Sequence, residues 1–139
     1  MIVLADGQFG RRVRERLRTE AIIWLTTVGA DGTPQPNPVW FLWQQEGFLI
    51  YNRSDANRLA HIAARPKVSL NFDGDGRGGD IIVFAGEARR LDGQPPPHEL
   101  RDYEEKYGEA MIRVAGSAKN FSADYPVALR IDVTRVRGH

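Results

Sequence analysis

The 139-residue chain has no cysteine, which excludes a disulfide framework, thiolate chemistry and cysteine-ligated metals together. Histidine is scarce as well. His61, His98 and His139 are scattered, with no partner at ligand spacing, so no metal site is expected. Neither sign of charge dominates: 19 Lys and Arg stand against 18 Asp and Glu, for a net +1. No global field therefore draws the chain onto nucleic acid or an acidic membrane. No run approaches the roughly 20 apolar residues of a membrane span. The opening MIVLADGQFGRRVRERL lacks a long apolar stretch followed by a small-residue cleavage site, and a soluble cytoplasmic protein is expected. No serine stands in a G-x-S-x-G frame, which removes the hydrolase nucleophile elbow. The glycines at 74, 76 and 79 have the spacing of a dinucleotide fingerprint. That motif works only between a strand and a helix; here a strand follows, so GDGRGG reads as a hairpin turn.

What is present is ordinary globular composition, 42% hydrophobic and 27% charged, enough for one domain over residues 1–139. Phe9, Val13 and Leu17 recur at i, i+4, which predicts an amphipathic helix near residues 7–19. Six stretches read as strands: 21–28, 35–44, 48–52, 67–73, 80–91 and 126–136. Asp31-Gly32 and Glu46-Gly47 supply turns between them. A helix carries Leu100, Tyr103 and Tyr107 on one side, Gly108 is expected to break it, and a short helix is expected around Met111 to Val114. Hairpin-joined strands with short helices at the ends imply a mainly β fold, a small antiparallel barrel. In VWFLW, Val39, Phe41 and Trp43 point to one side and Trp40 and Leu42 to the other. Both faces are apolar, so the strand is covered either by helices or by a second copy of the chain, and a homodimer is expected.

The stretch YNRSDANRLAHIAARPKVSL, residues 51–70, reads as strand, helix, strand. Ser54 or Asp55 is the expected N-cap, Leu59, Ile62 and Ala63 form the apolar stripe, and Pro66 stops the run. Arg53 and Arg58 lie at the helix end that the macrodipole makes positive, where cations are mildly unfavourable. That placement suits an anion: unpaired backbone N–H groups and an arginine fork match phosphate or carboxylate. Asn52 and Asn57 add donors. The neighbouring PNPVWF lays aromatic and backbone groups beside the junction. The combination is a flat apolar slot ending in an anion clamp, suited to a heteroaromatic ring with a phosphate tail.

The succession LTTVGADGTPQPNPVWF, FLIYNRSDANRLAHIAARPKVSL and GEARRL resembles the split-barrel flavin-binding superfamily of pyridoxamine 5'-phosphate oxidase. More narrowly, it resembles the deazaflavin-dependent actinobacterial branch. The similarity runs over roughly residues 10–137, and YxRxxxxRxxxIxxxPxVSL is its most specific part. The resemblance implies a six-stranded antiparallel split barrel, a homodimer with cofactor sites at its interface, and a small-molecule substrate. It places Arg58 on the cofactor phosphate, with Asn57 and Leu59 along the tail and Asn37, Pro38, Val39 and Trp40 along the ring. It also assigns Gly78 and Gly79 to a turn that approaches the cofactor. Ala56 departs from the pattern, which usually has serine or threonine there. The chain ends at VRGH without the arginine segment with which the oxidase reads its substrate, so pyridoxamine phosphate oxidation is not expected. The expected cofactor is coenzyme F420, with FMN as the alternative, in hydride transfer to an electron-poor small molecule. Tyr51 and Tyr125 are the candidate proton donors. A non-catalytic carrier of a cofactor or haem-like ligand is the rival reading.

Overall fold

The computed structural model describes residues 6–139; residues 1–5, part of the stretch read for a targeting signal, lie outside it. Helix α1 (Gln8–Thr19) precedes strands β1 (Ile23–Val28), β2 (Pro34–Val39), β3 (Leu42–Gln44) and β4 (Gly47–Asn52). Helix α2 (Asn57–Ala64) leads to β5 (Lys67–Asn71) and β6 (Ile82–Leu91). A single 3-10 turn (Pro97–Glu99), α3 (Arg101–Ala115), α4 (Ala118–Asp124) and β7 (Val127–Gly138) complete the chain. The strands form one antiparallel half-barrel in the order β2-β1-β5-β6-β7-β4-β3.

The described residues form seven strands, not the six expected, because residues 35–44 form two. The two sheet edges, β2 and β3, are consecutive in the chain and separated only by Trp40 and Phe41. A chain passing from one edge to the other leaves the ladder, and its peptide groups need other partners. Helix α3 supplies them. The Phe41 N–H donates to the Tyr107 hydroxyl at 2.9 Å, and Lys106 Nζ donates to the Phe41 carbonyl at 2.9 Å. The Tyr107 hydroxyl has one proton, placed between the carbonyls of Ala21 (2.7 Å) and Phe41 (3.0 Å).

The alternation in VWFLW holds, and both faces are covered within the chain. Val39 and Phe41 join the barrel core of Ile23, Leu25, Phe48, Leu70, Phe84 and Ile131, closed at one end by Val13 and Leu17 of α1. Leu42 and Trp40 turn outward into a second cluster with Leu49, Tyr103, Tyr107, Met111 and Phe121. Helices α3 and α4 are the cover, so this strand by itself gives no ground for a dimer. Gly108 does not break α3. The Tyr103, Tyr107, Met111 stripe is buried, and its packing exceeds the roughly 1 kcal/mol that an interior glycine loses relative to alanine. The helix ends instead at Gly116, left-handed at φ 91°, and Ser117 caps α4 by accepting from the Asn120 N–H.

The turn after β3 is Gln45-Glu46, one residue earlier than expected, with both residues left-handed (φ 52° and 59°). Arg130 holds it by donating to the carbonyls of Gln44 and Gln45. Gly47 opens β4, where a Cβ would meet the Ile131 carbonyl at 2.6 Å. On the opposite edge, the Gly29 N–H donates to the Thr33 carbonyl at 3.1 Å. Strand alternation then turns Pro34, Pro36 and Pro38 away from β1, so the open edge of β2 offers no N–H at these positions for strand addition.

Two outcomes follow from the Phe41 joint. Tyr107→Phe leaves a buried N–H without its acceptor and is expected to cost about 1–3 kcal/mol in urea unfolding; an unchanged midpoint would show that water replaces the hydroxyl. Burial pulls the Lys106 ammonium down to about 8 from its ordinary 10.5. Above pH 8 the unfolded chain therefore holds this proton more tightly than the folded one, and stability rises with pH through Lys106. Between about pH 8 and 9.5, below tyrosine ionisation, the stability slope of Lys106→Met should be less positive than the parent's. Identical slopes would remove Lys106 from the account.

Candidate functional site

Strand β4 ends at Asn52 and the chain turns into α2 through residues 53–56. The N-cap of α2 is Ala56, and no side chain bonds the first-turn N–H groups. Ser54 and Asp55, the expected caps, lie in the preceding turn, where Asp55 makes only a 3.8 Å contact with Arg53. The first turn also carries no acidic residue. The Leu59 N–H donates to the Ala56 carbonyl at 3.1 Å, while among the described residues the N–H groups of Asn57 and Arg58 have no partner, and the helix end keeps its positive potential.

This end forms one wall of a cavity of about 510 Å³, lined on other sides by Pro38, Val39 and Trp40 of the β2–β3 joint and by Tyr103, Val114, Phe121 and Tyr125. The cavity contains Arg58, half-buried, with Nη1 shut off from water and without a hydrogen-bond partner. No carboxylate pairs with Arg58 among the described residues. Burial pulls its guanidinium below the ordinary value, opposed by the neighbouring Tyr125. Asn52 is 1% exposed. Its Nδ2 donates to the carbonyls of Ile50 (3.0 Å) and Val127 (3.1 Å), and its Oδ1 has no partner. Arg53 is exposed, with its guanidinium 5.5 Å above the Tyr125 ring.

The aromatic wall is a column of stacked rings. Trp40 stacks on Tyr107 at 4.7 Å and on Phe121 at 5.1 Å, and Phe121 stacks on Tyr125 at 4.4 Å. Both helices of the β6–β7 connection are fixed to the joint by this column. Trp40 is engaged by the chain's own rings, so it bounds the slot without offering it a free indole face.

Of the residues expected at a site, Pro38, Val39, Trp40, Asn52, Arg53 and Arg58 line this one cavity, and Tyr51 and Tyr125 join them. Asn37 lies on the exposed edge strand β2, Asn57 is the exposed first residue of α2, and Leu59 packs against the barrel core. Gly78 and Gly79 belong to a separate turn in which Asp75 Oδ1 accepts from the N–H groups of Arg77 (2.7 Å) and Gly79 (2.9 Å). None of these five lines the cavity. Tyr51 donates its proton to the Pro95 carbonyl at 2.6 Å, and burial raises its pKa. Tyr125 makes no hydrogen bond through its hydroxyl among the described residues. Sequence reasoning missed Tyr103, Val114 and Phe121. The Gly116-Ser117 stop-and-start signal would have revealed α4, and with it Phe121.

A group with an anionic tail and an aromatic body fits these residues, because an orphaned cation and an uncapped helix end meet an apolar aromatic wall in one cavity. Among the described residues no cluster of His, Asp or Glu could hold a metal ion, and no helix is long and apolar enough to cross a membrane.

Comparison with known proteins fits this architecture. The model of the pyridoxamine 5'-phosphate oxidase family matches residues 9–139. No curated protein matches the chain. Among solved structures, HutZ, the haem storage protein from Vibrio cholerae, superposes with a TM-score of 0.65 at 15% identity over 95% of both chains. An F420 reductase superposes at 0.61 with 21% identity, over 89% of this chain and 94% of its own. An FAD-binding protein from Mesorhizobium loti gives 0.64 at 21% identity over 88% of both. At these identities the structures share the fold, while the family model spans nearly all of the sequence. The chain belongs to the pyridoxamine 5'-phosphate oxidase family.

Proposed function

We propose that this protein is an oxidoreductase that binds a flavin-type cofactor in the Arg58 cavity, coenzyme F420 in preference to FMN, and reduces a small electron-poor organic molecule. The observation that carries the reading is the half-buried, unpaired guanidinium of Arg58 beside the uncapped end of α2. A buried cation without a partner is unfavourable alone and becomes favourable when an anion enters. The preference for the deazaflavin rests on the resemblance of residues 51–70 to that branch of the family. Likeness in fold to an F420 reductase and to an FAD-binding protein is consistent with a flavin-type ligand.

The bound cofactor supplies the hydride. Arg58 holds its anionic tail, with Arg53 at the rim. The β2–β3 joint and the ring column bound the slot, and displacement of water by a bound ring would strengthen the contact to Arg58. Tyr125, whose hydroxyl proton is not committed elsewhere, is the proposed proton donor; Tyr51 is spent on Pro95. A non-catalytic carrier is the second reading, favoured by the likeness in fold to a haem storage protein. Titration with F420, FMN, FAD and hemin, followed by an acceptor screen, separates them: a carrier binds without turnover.

Arg58→Ala is expected to lower cofactor affinity about 10- to 150-fold, the 1.5–3 kcal/mol of a hydrogen bond to a charged group. The melting temperature of the apoprotein should hold or rise, since a cation leaves the positive end of a helix. A falling melting temperature with unchanged affinity would make Arg58 a structural residue and remove the clamp.

A homodimer belongs to the same proposal. It rests on the family resemblance and on Ile112 and Val114, which are 58% and 55% exposed, Val114 being on the cavity wall. Light scattering across a concentration series should report twice the chain mass; a stable monomer would contradict it.

A further inference from the structure

Two residues that line the cavity each carry an unsatisfied buried atom, the two atoms are of opposite character, and only one of them has a role so far. Arg58 Nη1 is a donor with a positive charge. Asn52 Oδ1 is a neutral acceptor. The orientation of the Asn52 amide is not free: Nδ2 commits its two hydrogens to the carbonyls of Ile50 and Val127, so the atom left over is the oxygen, with only lone pairs to offer. An anion that satisfies Arg58 cannot satisfy Asn52. The site therefore asks for a molecule with both an anionic group and an N–H or O–H donor.

We propose that Asn52 is a specificity-determining residue, whose Oδ1 accepts a hydrogen bond from the imide N–H of the cofactor's ring and thereby selects imide-bearing heterocycles over flat anionic ligands that lack such a donor. The inference rests on the cofactor reading above and names what that reading leaves open. The position of Asn52 supports the ring over the tail. It is 1% exposed and comes from the fully buried strand β4, whereas Arg58 and Arg53 are more exposed. A flavin and a 5-deazaflavin both carry the imide N–H. Haem carries carboxylates that would suit the arginines and has no ring N–H once metallated, so it would leave Asn52 Oδ1 unpaired. Sites built around a buried polar group reject analogues that fail to pair it far more strongly than apolar pockets reject small changes of shape.

The test uses the full chain with FMN, 5-deaza-FMN and the N3-methyl counterpart of each, read by fluorescence titration. Methylation removes the donor while keeping the phosphate, the ring and the tail hydroxyls. In the parent, both methylated ligands should bind about 5- to 150-fold more weakly, the range for leaving a buried acceptor unpaired. In Asn52→Thr, whose hydroxyl can still serve a strand carbonyl, each pair should bind alike, and the preference for FMN over hemin should fall by a similar factor. Thermal melts of the apoproteins check that the variant folds; the measurements on the parent need no variant. Equal affinity of methylated and unmethylated ligands for the parent would overturn the proposal, as would a methyl penalty that survives unchanged in Asn52→Thr, which would mark it as steric. Arg58→Ala distinguishes the two readings: it should weaken methylated and unmethylated ligands equally. If the parent binds none of the four ligands, the cofactor reading fails and this one fails with it.

Discussion

The peptide group of Phe41 is the constraint on which the rest of this structure depends. A sheet whose two edges are consecutive in the chain must pass through a point where the backbone belongs to neither edge. There it loses the ladder bonds that satisfy it elsewhere. Tyr107 and Lys106 supply both bonds from one helical turn of α3. Their burial follows from that duty, with Tyr107 pushed up and Lys106 pulled down in pKa by loss of solvent. Residue 41 turns its ring into the barrel. Residue 40 must then turn outward, and its indole becomes the seat for Tyr107 and Phe121.

The cavity is a consequence of that joint. Once α3 and α4 are stacked on Trp40, they stand over the end of β4 and the start of α2, leaving a space with aromatic walls and two orphaned polar atoms. A barrel selected for stability alone would give Arg58 a carboxylate and α2 a side-chain cap, each worth a fraction of a kcal/mol to a few kcal/mol. Neither is present. The local rules of good folding are broken together at one place, and such concentrations are where a binding function is sought.

Much of this was legible in the sequence because it depends on short-range signals. The period-2 strands, the Asp-Gly hairpin, the amphipathic first helix and the arginines at a helix N-terminus are each written within a dozen residues. What was not legible depended on long-range partners. The split of residues 35–44 into two strands requires Tyr107, more than 60 residues away, to receive the Phe41 N–H. The apolar outer face at Trp40 and Leu42 reads equally well as a subunit interface or as a seat for helices, and only the tertiary structure assigns the helices. Gly108 carries the same composition signal whether it ends a helix or lies beneath a packed stripe. Asn52 reads as one more donor beside Arg58, and its acceptor character emerges only when the two carbonyls that occupy its amide hydrogens are seen.

The central claim is that the orphaned guanidinium of Arg58 is the anion-binding element of a cofactor site. The most direct measurement is a crystal structure of the protein grown with FMN or with the deazaflavin cofactor. The account predicts a phosphate oxygen within roughly 3 Å of Arg58 Nη1, at the first turn of α2, with the ring beside the Trp40–Phe121–Tyr125 column. A ligand bound elsewhere, with Arg58 still unpaired, would contradict it.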